Sequence, residues 1–402
     1  MGNAERFDVA VVGASIAGCT AARLFARTGA RVALIERRPD PAAHKVVCTH
    51  AIQPSATATI ERLGLAPLLD ARGAVHIRGD AWTRFGWIRA PDDSPHGYGV
   101  TRRTLDPILR SLAAETPGVE LLTGLTATGL LGDGRPAGVK AQNGKGAHRR
   151  IAARLVVAAD GRGSTVARLA SVRGRVLPHN RFFYWAYWEG VHPVTSRARI
   201  WLLDPDGGAH FPNEDGLALL AIGANREHLP AYRSDLEGEY LRHLRALPDG
   251  PEVGDARRVS KIIGKVEMPN VLRPAARPGL AFVGDAALAA DPLFGVGCGW
   301  AFQSAEWLVD AAAPALLGEG DLDAALRRYR RTFWRRMVPH HLVISDYSTG
   351  RTFTPAERLV FRAAARDAVV RRALDDVASR RRSPLRMLDP RLIPRLILRG
   401  AA

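Results

Sequence analysis

Apolar residues dominate from Phe7 to Val12, then give way to a short run of small residues and glycines. A helix-like stretch follows, Cys19 to Thr28, and then a second apolar run, Arg31 to Ile35, that ends on Glu36. Strand and helix patterns keep alternating to about Leu69, which predicts βαβ units and a parallel sheet. Val75 to Tyr98, rich in Gly, Trp and Arg, reads as sheet and loop, and Arg103 to Glu115 as a helix. Three β-like pieces come next: Val119 to Leu131, Gly138 to Ala141, and Ile151 to Ala158. Asp133-Gly134 and the stretch Asn143 to Gly146 are hairpin signals between them. Arg181 to about Val266 is strand-rich around one helix, Leu236 to Ala246. Leu280 to Val283 is again a buried strand, followed by a loop and a helix beginning near Trp300. The remainder, Asp321 to Ala402, reads as mostly helical; Pro390 and Pro394 interrupt its basic, Leu- and Ile-rich end, so that segment is expected to dock on its own domain.

No repeat or long linker divides the chain, so the pattern predicts one βαβ-built domain that is interrupted and then resumed. Its expected parts are residues 1–74, 100–175 and 265–345. The inserted, mostly antiparallel substrate domain takes 75–99 and 176–264, and a helical segment takes 346–402. The expected class is α/β, α+β overall, with a Rossmann-like domain. At 402 residues, with 47% hydrophobic and 24% charged, the chain can bury a large core. No apolar stretch is long enough for a membrane span, and no signal-peptide architecture opens the chain. Cys19, Cys48 and Cys298 are too few and too scattered for a disulfide framework or a zinc site, so no metal is expected and a cytoplasmic setting is.

The net charge of +17 raises the reading of a basic, nucleic-acid-binding protein without turnover. Only five lysines contribute; the excess is arginine at helical spacing, as in Arg327-Arg328-Tyr329-Arg330-Arg331. No DNA- or RNA-binding motif accompanies it, so a solvated basic face is the reading and no nucleic-acid partner is expected.

Three short motifs carry the chemistry. In Gly13-Ala-Ser15-Ile16-Ala17-Gly18, the first glycine permits a tight turn and Gly18 lets the helix pack closely on the strand. The free N–H groups at the helix start can then receive a pyrophosphate. Ser15 replaces the middle glycine, and Glu36, followed by Arg37, stands where an acid binds ribose hydroxyls. The second motif, Val156 to Ser164, delivers Asp160 and Gly161 to the end of an apolar strand. The third runs from Gly279 through Asp285 to Pro292, Gly295, Val296, Gly297 and Gly299, and hands an acid and a glycine-rich loop to a helix start.

In this order the motifs resemble the FAD-binding fold of flavoprotein aromatic hydroxylases, the single-component (group A) monooxygenases. Geranylgeranyl reductases and flavin-dependent halogenases are cousins, and the likeness covers about residues 5 to 310. The resemblance implies FAD, with Gly13, Ser15 and Gly18 at the pyrophosphate and Glu36 at the adenosine ribose. It places Arg102 beside the cofactor, Asp160 and Gly161 in the Asp-Gly motif, and Asp285 at the ribityl chain. Pro292, Gly295 and Gly297 would pass the isoalloxazine. It further implies NAD(P)H as transient reductant or a separate flavin reductase, and molecular oxygen and a small apolar or aromatic molecule as co-substrates. The expected reaction is hydroxylation or epoxidation through a flavin hydroperoxide. Leu288 stands where many relatives carry histidine, which leaves the acid–base residue open.

Two alternatives stay open. Lys45-Val-Val-Cys48 is similar to a cysteine-bearing segment of geranylgeranyl reductases, which keeps prenyl or alkene reduction open. A lysine near flavin is also a halogenase feature, although Trp82 to Ile88 does not reproduce the halogenase tryptophan motif. In the strand-like run Arg181 to Trp188, Phe183, Trp185 and Tyr187 share one face, and Phe182, Tyr184 and Trp188 the other. Trp185, Tyr187, Trp201 and Phe211 are the candidate substrate pocket, and His210, Lys45 and Cys48 the candidate catalytic residues.

Overall fold

The structure is a computed structural model and describes residues 5–400. Glu5–Val12, Val32–Glu36 and His148–Ala158 are Val-, Ala-, Leu- and Ile-rich and are buried on both faces over Val9–Val12, Val32–Ile35 and Leu155–Ala158, the signature of interior strands in a parallel sheet. Five parallel strands lie in the order Leu280–Phe282, His148–Ala158, Glu5–Val12, Val32–Glu36, Val119–Thr123. Val12 lies opposite both Ala158 and Ile35, and Ala158 opposite Phe282. Their carboxyl ends therefore share one edge. Helices Ile16–Arg27, Gly297–Leu316 and Leu322–Tyr347 pack in succession beside this sheet. Tyr329 closes the core by donating its hydroxyl to the Phe282 carbonyl at 2.7 Å.

Leu125–Leu131, Gly138–Asn143 and His148–Ala158 are joined by the two hairpin turns noted above and pair antiparallel. A second sheet runs Arg257–Arg258, Arg181–Glu189, Ala218–Asn225, Gly207–Pro212, Arg197–Leu202, Val75–Thr83, Gly97–Gly99, Ala51–Ile52. It is antiparallel except where Arg197–Leu202 joins Val75–Thr83. The two-residue side-chain period splits its apolar residues cleanly. Phe182, Trp188, Leu220 and Ile222 pack with Tyr240 and Leu244 of helix Leu236–Arg245. Phe183, Trp185, Leu219 and Ala221 turn to the opposite side.

Several boundaries differ from the pattern. The two site helices begin at Ile16 and Gly297, three residues ahead of Cys19 and Trp300, because packing against the sheet overrides the poor helix propensity of glycine, about 1 kcal/mol. Ala51–Ile52 pairs with Gly97–Gly99, so the second sheet recruits its edge from the first 74 residues. In the C-terminal part, Pro355–Arg366 starts with a Thr354–Glu357 capping box, and the last helix, Ile393–Gly400, lies against it. Pro394 occupies that helix's first turn, where no backbone donor is lost. Residues 401 and 402 of the expected helical segment lie outside the described residues. Among those described, no helix is long and apolar enough to cross a membrane.

Burial leaves a pH signature. Desolvation lowers His210 to about 4, His341 to about 4 and His340 to about 3. The unfolded chain, with histidines near 6.5, binds more protons below that pH, so stability is complete above about 6.5 and falls as pH drops toward 4. Each histidine contributes a slope of about 1.4 kcal/mol per pH unit. Urea midpoints should fall steadily from about pH 7 to about pH 5, and a flat profile would contradict the neutral burial.

Candidate functional site

At the shared edge of the parallel strands, the three motif ends open into one cleft of about 620 Å³. Gly13, Ser15, Ile16, Ala17, Glu36, Arg37, Asp160, Gly161, Asp285, Pro292, Gly295, Val296 and Gly297 all line it. Gly13 has φ of +104°, and an added Cβ would stand 2.6 Å from the Ala159 carbonyl oxygen, so the turn demands glycine here. Glu36 holds the turn from the side, accepting from Ala14 N at 2.8 Å and from Arg38 N at 3.0 Å. Asp160 accepts from Ser164 Oγ at 2.6 Å and from Val166 N at 3.0 Å, which fixes the Asp-Gly corner. Gly18 does not face the cleft; it lies directly against the Gly13 carbonyl.

Arg102 opens the helix Arg102–Ala114 and is buried. Its Nε donates to Asp106 Oδ1 at 2.8 Å and its Nη2 to Ser15 Oγ at 2.6 Å. Burial works against the guanidinium charge, but Asp106 together with the Cys48 and Cys298 sulfurs more than offsets it, and Arg102 sits above its ordinary value. Across the cleft Lys45 Nζ pairs with Asp285 Oδ2 at 2.9 Å. Asp285 raises the Lys45 ammonium, and Lys45 holds the Asp285 carboxyl low despite burial.

The loop after Lys45 carries the remaining polar chemistry. Cys48 Sγ lies 3.5 Å from Cys298 Sγ, in the first turn of the helix Gly297–Leu316. Arg102 N donates to His50 Nδ1 at 2.7 Å, which leaves Nε2 as the protonated nitrogen facing the Tyr187 hydroxyl. Burial lowers the His50 pKa and raises that of Tyr187. Sequence reasoning missed His50, Asp106 and Cys298, because each acts through a partner more than 50 residues away or, for Asp106, through the side chain one turn before it.

The apolar wall comes from Phe183, Trp185, Leu219 and Ala221 of the second sheet, joined by Met268 from the loop before the strand Asn270–Leu272. Trp185 Nε1 is buried there with no hydrogen-bond partner. Tyr187 and Phe211 share this face, one step behind the lining. Trp201 and His210, both expected in the pocket, are not there. Trp201 is buried among the residues packed on helix Leu236–Arg245 and donates Nε1 to the Pro248 carbonyl at 2.7 Å. His210 lies opposite Leu220 and Arg199, one residue out of phase with Phe211, and so turns to the same far side. His210→Gln is expected to leave flavin affinity within about twofold, as a surface-distant substitution should; a tenfold loss in a flavin titration would return it to the site.

A wider, more open hollow of about 860 Å³, walled by Arg72, Arg103 and Glu115 among others, contains none of the motif ends. Among the described residues, no three metal-ligating side chains cluster. The cleft suits a dinucleotide: a glycine turn and helix start for the pyrophosphate, two carboxylates for ribose and ribityl hydroxyls, and a helix N-terminus at the ring end.

The comparisons agree with that chemistry. Residues 6–221 match the FAD binding domain family, and the chain belongs to it. Digeranylgeranylglycerophospholipid reductase 2 of Methanothermobacter thermautotrophicus is 30% identical over 84% of this chain and 85% of its own length. The myxobacterial chondrochloren halogenase aligns over 99% of this chain and 97% of its own, with TM-score 0.75 and 23% identity. A geranylgeranyl bacteriochlorophyll reductase-like protein of Thermoplasma acidophilum aligns over the same shares with TM-score 0.70 and 21% identity. The protein is an FAD-dependent oxidoreductase of mixed α/β fold.

Proposed function

We propose that the protein is an FAD-dependent reductase that saturates carbon–carbon double bonds in an apolar, isoprenoid-like substrate. Reduction of an alkene consumes a hydride and a proton, and the bound flavin supplies the hydride when reduced. The observation that carries this reading is the sulfur pair in the cleft. The Cys48 and Cys298 sulfurs stand 3.5 Å apart, and a thiol of this pair would supply the proton beside the wall of Phe183, Trp185 and Met268 that would seat a hydrocarbon chain. The wall excludes water from the reacting carbons. The similarity to a curated prenyl-lipid reductase supports the same substrate class.

The halogenase alternative asks for a lysine free to capture an oxidised halogen, whereas Lys45 is committed to Asp285. Reducing equivalents would come from NAD(P)H or a separate flavin reductase. The discriminating experiment mixes dithionite-reduced holoenzyme with geranylgeraniol without oxygen. Saturation, seen as a product heavier by two hydrogens per double bond, is expected. No saturation under these conditions, together with substrate-dependent oxygen uptake and a hydroxylated product when the same mixture is made in air, would replace this reading with the monooxygenase anticipated from the sequence.

A further inference from the structure

Cys48 and Cys298 are 250 positions apart in the chain, yet their sulfurs stand 3.5 Å from each other on the wall of the flavin cleft. Cys298 is fixed in the first turn of a twenty-residue helix. Cys48 lies in a stretch with no helix or strand, between the short bends after Lys45 and the strand Ala51–Ile52. An S–S bond needs about 2.05 Å, so closing it asks for a shift of roughly 1.5 Å, which the irregular loop can absorb without breaking a ladder of backbone hydrogen bonds.

The surroundings favour one thiolate and one thiol. The backbone N–H of His50 points at Cys48 Sγ at 3.4 Å, and Arg102 Nη1 lies 3.9 Å from it. The hydrogen bond between the two sulfurs, helped by the Arg102 and Lys45 charges nearby, holds Cys48 well below the ordinary thiol range, while the same contact and burial hold Cys298 well above it. A low-pKa thiolate facing a thiol is the arrangement that thiol–disulfide chemistry requires. Cys19, the third cysteine, is buried within the first helix, does not line the cleft, and is pushed up by burial.

We propose that Cys48 and Cys298 form a dithiol–disulfide couple that exchanges two electrons with the bound flavin. In the oxidising direction one S–S bond forms between Cys48 Sγ and Cys298 Sγ and the Cys298 S–H bond breaks. Two electrons and that proton pass to oxidised FAD, which becomes the anionic reduced flavin; the reverse returns them. The couple thus stores reducing equivalents at the site, and its disulfide form withdraws the shared proton from the cleft. None of this depends on which substrate the enzyme takes.

The test uses the full-length holoenzyme without substrate, oxidised with glutathione disulfide and titrated anaerobically with dithionite. Wild type should take up about four electrons per flavin, and Cys298→Ser about two, since the disulfide is a two-electron couple. Half-reduced wild type should show a long-wavelength absorbance from the Cys48 thiolate to the flavin. Peptide mapping should find a Cys48–Cys298 linkage in the oxidised sample only, unchanged in Cys19→Ser. Uptake of about two electrons by wild type, or a linkage between other cysteines, would overturn the proposal. Uptake of four without the absorbance band would also overturn it, because the couple would then not communicate with the flavin. Mapping and titration of wild type alone decide the matter if Cys298→Ser fails to hold flavin.

Discussion

Gly18→Ala should strip the protein of its cofactor. An alanine methyl at this position would fall inside the van der Waals envelope of the Gly13 carbonyl oxygen and press on Ala159 Cβ at 3.3 Å. Two effects oppose each other. Alanine gains about 1 kcal/mol over glycine inside a helix. Overpacking typically costs about 1–3 kcal/mol, and more when the obstacle is backbone that cannot rotate away. The clash wins, and it is relieved only if the helix Ile16–Arg27 backs off the sheet. That movement displaces the N–H groups meant for the pyrophosphate. A melting temperature lower by several degrees and flavin affinity weaker by at least about tenfold are expected, read from thermal denaturation and flavin fluorescence titration. An alanine variant that binds FAD normally would show that the helix start does not hold the phosphates.

Arg102→Met should cost still more stability. The guanidinium is the cation beside the buried Asp106 carboxylate, at 2.6 Å, and the donor to Ser15 Oγ. Removing one member of a buried ion pair costs about 3–5 kcal/mol, because the other charge is left behind unpaired. The effect on flavin is separable from the effect on folding. In Arg102→Met/Asp106→Leu the stranded charge is gone, so denaturant midpoints should recover by a large part of the loss. Flavin affinity should not recover, since Ser15 has still lost the donor that orients it. Equal recovery of both would mean that Arg102 serves the fold alone.

The sequence was legible where chemistry and backbone coincide. Gly13, Asp160 and Asp285 each follow an apolar run, and a parallel sheet brings the ends of such runs together without any knowledge of side-chain packing. The strand parity of Phe183 and Trp185 against Phe182 and Trp188 was equally legible, because a two-residue period needs no partner. Trp201 and His210 were misplaced for a related reason. Phe211 and His210 are adjacent, so they must point to opposite faces, but only the register with Leu219 and Leu220 decides which face meets the cleft. The helix starts at Ile16 and Gly297 were obscured by residues of low helix propensity that packing recruits. The Cys48–Cys298 contact was invisible, since nothing in the spacing of two cysteines in different motifs reports their distance.

The same logic bears on the basic composition. Many of the arginines hold carbonyls and carboxylates within the structure rather than forming one cationic stripe. Arg23 ties the Leu63 and Leu112 carbonyls together, and Arg197 bridges Asp80 to the Ala90 carbonyl. Those interactions explain part of the excess without invoking an external polyanion.

A crystal structure of the FAD complex is the most direct test of the central claim, that the parallel-sheet edge, Arg102 and the Cys48 loop together form the flavin site. The adenosine ribose is predicted against Glu36, the pyrophosphate at the start of Ile16–Arg27, the ribityl chain at Asp285, and the ring between Cys48 and Val296-Gly297. Flavin density in the hollow beside Arg72 and Arg103, or an isoalloxazine remote from both cysteines, would contradict it.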